Sequence, residues 1–164
     1  MPSGPKVERY IEQFFDRRQI GTRIIAQVEG NHGTYTVSIE VDATETRSAC
    51  SCYIGKHGYC HHCMALAKTF LKNPQSFQEI VTKTLNEVKT LDDLPDYLQH
   101  ITLGTLLEQL KEARITQKAF AESIGMSPRH LSAMKSSEQR NRRHAELGAV
   151  KLACLWVLGR FGEK

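Results

Sequence analysis

An α+β fold in two parts is predicted by three observations. Residues 22–41 alternate apolar and polar side chains on both sides of a Gly/Asn turn, the period of paired strands. Residues 50–63 gather four of the five cysteines and three of the seven histidines. From residue 101 onward the apolar side chains recur at helical spacing instead. The expected architecture is a small β-hairpin/helix module held together at its cysteine cluster, residues 1–88, an acidic connector, 89–100, and an all-α bundle, 101–164.

Val7, Tyr10, Ile11, Phe14 and Phe15 fall on one face of a helix, with Pro5 suited to its first turn and Gly21 to its stop. Residues 22–29 and 34–41 then predict a hairpin, because Gly30, Asn31 and Gly33 tolerate the positive φ of a tight turn and both flanks are β-branched. A lone hairpin is marginal in water, so the cysteine cluster and the helices beside it are expected to supply what it lacks.

The cluster is spaced Cys50-x-Cys52, seven residues, Cys60-x-His62. Thiolates so crowded repel one another unless a cation sits among them, and three sulfurs with one imidazole suit tetrahedral Zn2+. Cys50, Cys52, Cys60 and His62 are therefore the expected metal ligands. Cys63 could replace His62, and His61 or His57 could take a place; His62 is preferred because Cys63 begins the apolar face of the next helix. A disulfide framework is not expected, since no apolar run follows the opening residues 1–5 as in a secretory signal, and a cytoplasmic location is expected instead. With the strand of residues 35–41 before it and the Ala/Leu-rich helix of residues 64–71 after it, the pattern resembles the SWIM zinc finger across residues 22–72. That resemblance implies a DNA-binding or protein-binding module without catalysis.

Asn73 and Pro74 break the helix, and Phe77, Ile80, Val81, Leu85 and Val88 predict another. Residues 91–98 read as a connector with a helical turn. The net charge of +4 is unevenly spread. Residues 1–86 hold ten Lys/Arg against eight Asp/Glu, residues 87–100 one against four, and residues 101–164 eleven against six, so the C-terminal part is the better partner for a polyanion.

Leu103, Leu106, Leu107 and Leu110 mark a supporting helix over residues 103–114. Thr116 caps the next, with Phe120 and Ile124 inward and Ala121 small enough for a close crossing. Gly125 makes the corner, Ser127 caps a further helix with Pro128 at its first position, and Leu131 and Met134 turn back to the core. Pro128, Arg129, Ser132, Ala133 and Lys135 are left outward, as the major groove accepts. Residues 116–135 resemble the helix-turn-helix of Cro and lambda-repressor type phage repressors. The resemblance implies that Gln117 approaches a phosphate and that Ser127, Arg129, Ser132 and His130 approach bases or backbone. Lys135 and the polar loop with Arg140, Arg142 and Arg143 are suited to phosphates.

Residues 145–161 are apolar around most of a helix, which predicts burial in the C-terminal core or against a second copy as a homodimer; Trp156 reads as a packing anchor. No apolar run approaches the length of a membrane span. His144, Glu146 and the Cys60-x-x-Cys63 pair resemble fragments of the zinc nucleobase deaminase signature, but in reversed order and without its proline, so no enzyme is expected. The expected function is a zinc-containing, sequence-specific double-stranded DNA-binding protein used in transcription regulation, with a protein partner for the zinc module as a further expectation. Two rivals stand beside it: an adaptor with a dimerising helical half, and a nucleic-acid-binding accessory factor of a mobile element or defence system.

Overall fold

Ile24, Ala26 and Val28 on one strand face Ile39, Val37 and Tyr35 on the next, and this period-2 match sets the register of the central hairpin. The computed structural model describes residues 4–57, 59–142 and 144–162. Strands β2 (Arg23–Gly30) and β3 (Gly33–Val41) pair antiparallel, and the positive φ that the turn demands falls on Gly33, at 110°. They lie inside a five-stranded sheet of order β4-β3-β2-β1-β5, with β1 Phe15–Ile20, β4 Thr46–Cys50 and β5 Gln78–Glu79. The edge strand β5 runs parallel to β1, pairing Arg18 with Gln78 and Gln19 with Glu79. One face of the sheet packs on helix α2 (His61–Lys72) through Cys63, Ala65 and Leu66, and Val7, Tyr10, Phe14 and Phe77 join the same core.

The chain forms two compact units, and this sheet with α1 (Pro5–Glu8) and α2 belongs to the first, which ends at Val81 and includes Arg140–Arg142. There Asn141, in the left-handed region at φ 55°, donates to the Ser38 hydroxyl and the Ala49 carbonyl and accepts from Arg23.

The second unit is helical: α3 Asp93–His100, α4 Leu103–Glu112, α5 Gln117–Ser123, α6 Pro128–Gln139 and α7 Leu147–Phe161. Leu103, Leu106, Leu107 and Leu110 are fully buried against Phe120, Ala121, Leu131, Met134, Val150 and Cys154. Thr116 Oγ1 accepts from the Ala119 N–H and Ser127 Oγ from the His130 N–H, so both α5 and α6 begin on a side-chain cap. Gly125, at φ 71°, turns the chain between them. Inside the bundle a charge is buried: Lys151 Nζ lies 2.6 Å from Glu138 Oε1 and donates to the Leu98 carbonyl, while Glu138 Oε2 accepts from the Leu103 N–H.

The mixed α/β content agrees with the predicted α+β class, and three local expectations are corrected. The first helix is only four residues long, because Glu12 adopts φ 66° and the Arg17 guanidinium takes the carbonyls of Glu12 and Phe14, which sends Phe15 into a strand. The helix expected over 77–88 is absent: Phe77 closes the core, β5 joins the sheet edge, and a single 3-10 turn at Leu85–Glu87 is fixed by the reciprocal bonds of Thr84 and Glu87. Within the single chain helix α7 is not buried all round, which corrects its burial in the C-terminal core and leaves the alternative of cover by a second copy untouched. Val150, Lys151 and Cys154 face inward, but Trp156 is 66% exposed and packs edge-on against Phe161 instead of anchoring the core. A cavity of about 550 Å³ lies beside that face, lined by Ile115, Ala119, Ile124, Val157, Trp156 and Phe161.

Candidate metal centre

Strand β4 ends on Cys50, whose register opposite Val37 turns its side chain inward. Cys52 follows in the turn, which Thr36 ties to the sheet by donating its N–H to the Ser51 hydroxyl while its carbonyl accepts from the Ser51 N–H. Cys60 occupies the extended residue that starts α2, and His62 lies in that helix's first turn. Two ends of secondary structure thus aim four side chains at one point. The ligand atoms of Cys50, Cys52, Cys60 and His62 all lie within 4.8 Å of one another, and all four residues are buried.

The spacing fits an ion. Bonds of about 2.3 Å to sulfur and 2.1 Å to nitrogen put tetrahedral S···N edges at about 3.6 Å. His62 Nδ1 lies 3.7 Å from Cys50 Sγ and 3.8 Å from Cys60 Sγ. The group could therefore hold a metal ion with little rearrangement. Cys63 comes within 3.7 Å of Cys60 but stands outside the mutually convergent set. His61 stacks on Tyr10 instead, and the His57 side chain lies outside the described residues. All five cysteines are free thiols.

The electrostatics point the same way. The hydrogen bond from Cys50 holds Cys60 far below the usual thiol range, and the same bond pushes Cys50 far up, with burial adding to the rise. Cys63 is likewise raised by its bond to Cys60 and by burial. Cys60 stands at the N-terminus of α2, where the helix dipole favours a thiolate, and an ion bound by Cys50 would have to displace its proton.

Two features around the ligands escape a reading of ligand spacing. Gly55 donates its N–H to Cys52 Sγ at 3.1 Å while passing beneath Cys50, so that a Cβ there would strike the Cys50 carbonyl oxygen and side chain. A glycine three residues after a ligand cysteine was the available signal. Gly55→Ala is expected to weaken metal binding by about 10–100-fold, the usual cost of losing an outer-shell support. Competition with a chromophoric chelator measures this, and an unchanged affinity would show that the turn can give way. The second feature is a cavity of about 410 Å³ beside the cluster, lined by Lys6, Arg9, Tyr10, His32, Tyr35 and His61 among others. His62 packs between the rings of Tyr10 and Tyr35, and its Nε2 is buried with no hydrogen-bond partner among the described residues.

The residues expected at DNA fall in both units. Gln117 begins α5; Ser127, Arg129, His130, Ser132 and Lys135 cap or belong to α6. Ser127, Arg129 and Ser132 are exposed, Gln117 and His130 half-buried, and Lys135 half-buried with its stem near Gly104 of α4. Arg140 and Arg142 are exposed and belong to the first unit, while Arg143 lies outside the described residues. Among the described residues no helix is long and apolar enough to cross a membrane. Comparison with protein-family models, curated proteins and solved structures finds no match to this chain.

Proposed function

We propose that the chain is a zinc-containing protein that binds double-stranded DNA sequence-specifically and serves in transcription regulation. The observation that carries this reading is the division of α6 into two faces. Leu131 and Met134 are buried on one side, while Arg129, Ser132 and Ala133 stand exposed on the other near the N-terminal end, where a helix meets base edges in a major groove. The preceding α5 and the capped corner at Gly125 support the likeness to repressor-type helix-turn-helix pairs. In the first unit Arg140 and Arg142 are exposed guanidinium groups suited to phosphates.

Zinc is the metal that three thiolates and an imidazole favour. Cys50, Cys52, Cys60 and His62 would complete its tetrahedron and leave no position for a reacting water, so its part is to hold the SWIM-like module folded, not to catalyse. The cytoplasm is the compartment in which its thiols stay reduced.

Selection from random duplexes by the zinc-loaded protein tests the reading, with an Arg129→Ala control. Loss of a base contact is expected to cost about 1–3 kcal/mol on the recovered site and to relax one position of it. An equal loss on every sequence would make Arg129 a phosphate contact, and no enrichment at all by folded, metallated protein would overturn sequence-specific recognition. One observation favours a second reading, an adaptor that binds protein through the zinc module and pairs through α7. Leu152, Trp156 and Phe161 leave an apolar face on α7 that a second copy would cover. Salt separates the two, because phosphate contacts weaken steeply with ionic strength and an apolar interface does not.

A further inference from the structure

His130, in the first turn of α6, and His144 and Glu146, just before α7, bring one ligand atom each to within 4.8 Å of one another. His130 Nε2 lies 3.0 Å from Glu146 Oε2, and the two imidazole rings meet edge-on with centroids 5.1 Å apart. An ordinary surface ion pair accounts for the first of these contacts. It does not account for His144, whose Nδ1 is buried and has no hydrogen-bond partner among the described residues. A buried imidazole nitrogen left without a partner is an unsatisfied group, and a ligand beside it removes that defect.

From this geometry we propose a second metal site: His130, His144 and Glu146 bind a borderline divalent cation of the Co2+/Ni2+/Zn2+ class. The donor set decides the class, since two imidazoles with one carboxylate suit these ions and contain no soft thiolate. One separation already agrees with it. Bonds of about 2.1 Å place neighbouring ligand atoms about 3.0–3.4 Å apart, and the His130–Glu146 pair already has that separation. The site differs in kind from the cysteine centre. Its His130 and Glu146 side chains are 42% and 59% exposed, and three protein ligands leave coordination positions to water, so the ion exchanges readily with the medium where the cysteine-bound ion is enclosed. A bound ion would also clamp the first turn of α6 to the residues that lead into α7. The inference does not depend on which metal the cysteines hold, and it assigns His130 to an ion instead of to the DNA contact expected of it.

The test is a Co2+ titration of the full chain after its cysteine centre has been filled with one equivalent of zinc. The expected result is a second equivalent, bound in the micromolar range, with the weak visible bands of nitrogen and oxygen ligation and no sulfur-to-cobalt charge transfer. His144→Ala and Glu146→Gln should each lose that equivalent while retaining the zinc and the far-ultraviolet circular dichroism of the parent. Should His144→Ala fail the dichroism control, Glu146→Gln and His130→Gln decide. Saturation at one metal per chain overturns the proposal, and so does a second equivalent that persists in the folded variants, which would mark adventitious binding elsewhere.

Discussion

Cys52→Ser, prepared in zinc-supplemented medium, is expected to carry no tightly bound metal and to lose the fold of residues 22–72. The reason is the size of the terms. Zinc binding to structural sites of this donor class supplies about 10–16 kcal/mol near neutral pH, comparable to or larger than the 5–15 kcal/mol of a typical domain's whole stability. The four ligand residues belong to or border the core in which α2 packs on the sheet, so a bound ion would join Cys50 at the end of β4 to His62 in the first turn of α2. Cys52 itself is buried and accepts the Gly55 N–H, so serine, with a shorter and far less acidic side chain, loses both the metal bond and the turn that shapes it. Metal analysis with near-ultraviolet circular dichroism reads the outcome, and Cys63→Ser should keep its zinc. An unchanged zinc content in Cys52→Ser would remove that residue from the ligand set. The pH dependence has a definite sign: the Cys50 thiol is raised by its bond to Cys60, so protons compete with the ion for it, and metal affinity falls as pH falls.

Glu138→Ala should cost the helical unit about 3–5 kcal/mol in urea denaturation, as when one partner of a buried ion pair is removed. Lys151 is 3% exposed, and without Glu138 its ammonium keeps the Leu98 carbonyl as its partner among the described residues. The same change leaves the Leu103 N–H, in the first turn of α4, without its acceptor. Replacing the pair together, Glu138→Gln with Lys151→Met, should cost much less, because no uncompensated charge is left inside. A loss below about 1 kcal/mol for Glu138→Ala would mean that water reaches Lys151 and that the pair resembles a surface bridge.

The parts of the molecule that could be read in advance are those in which chemistry is local. Ligand spacing needs only adjacent residues, so Cys50, Cys52, Cys60 and His62 stood out before any fold was known. The hairpin was equally legible, since Gly33 and the alternation around it lie within one stretch. What could not be read depends on partners distant in sequence. Residues 15–20 contain an aspartate and two arginines, and 46–50 contain a threonine, an arginine and a serine; they become strands because β2 and β3 offer them edges. The apolar spacing of Val7, Tyr10 and Phe14 does mark a shared buried face, but Arg17 and Thr69 bind the backbone beyond residue 11 and end the helix. Lys151 is hidden in an apolar helix, and His144 with Glu146 reads as a fragment of another motif, because the His130 that meets them belongs to a separate helix.

The parallel edge of the sheet also dictates an order of assembly. Arg17 and Ser76, which fasten β5 beside β1, are 59 positions apart, so that edge must wait for a long closure while the β2–β3 hairpin needs almost none. The metal centre lies within the same span. Once an ion joins Cys50 to His62, the residues between them drop out of the loop to be closed, and the entropic barrier to docking β5 is lowered. An ion bound there would therefore ease the docking of the outer strand only slightly, by about 0.2 kcal/mol of closure entropy, and its larger effect would be on the endurance of the folded module.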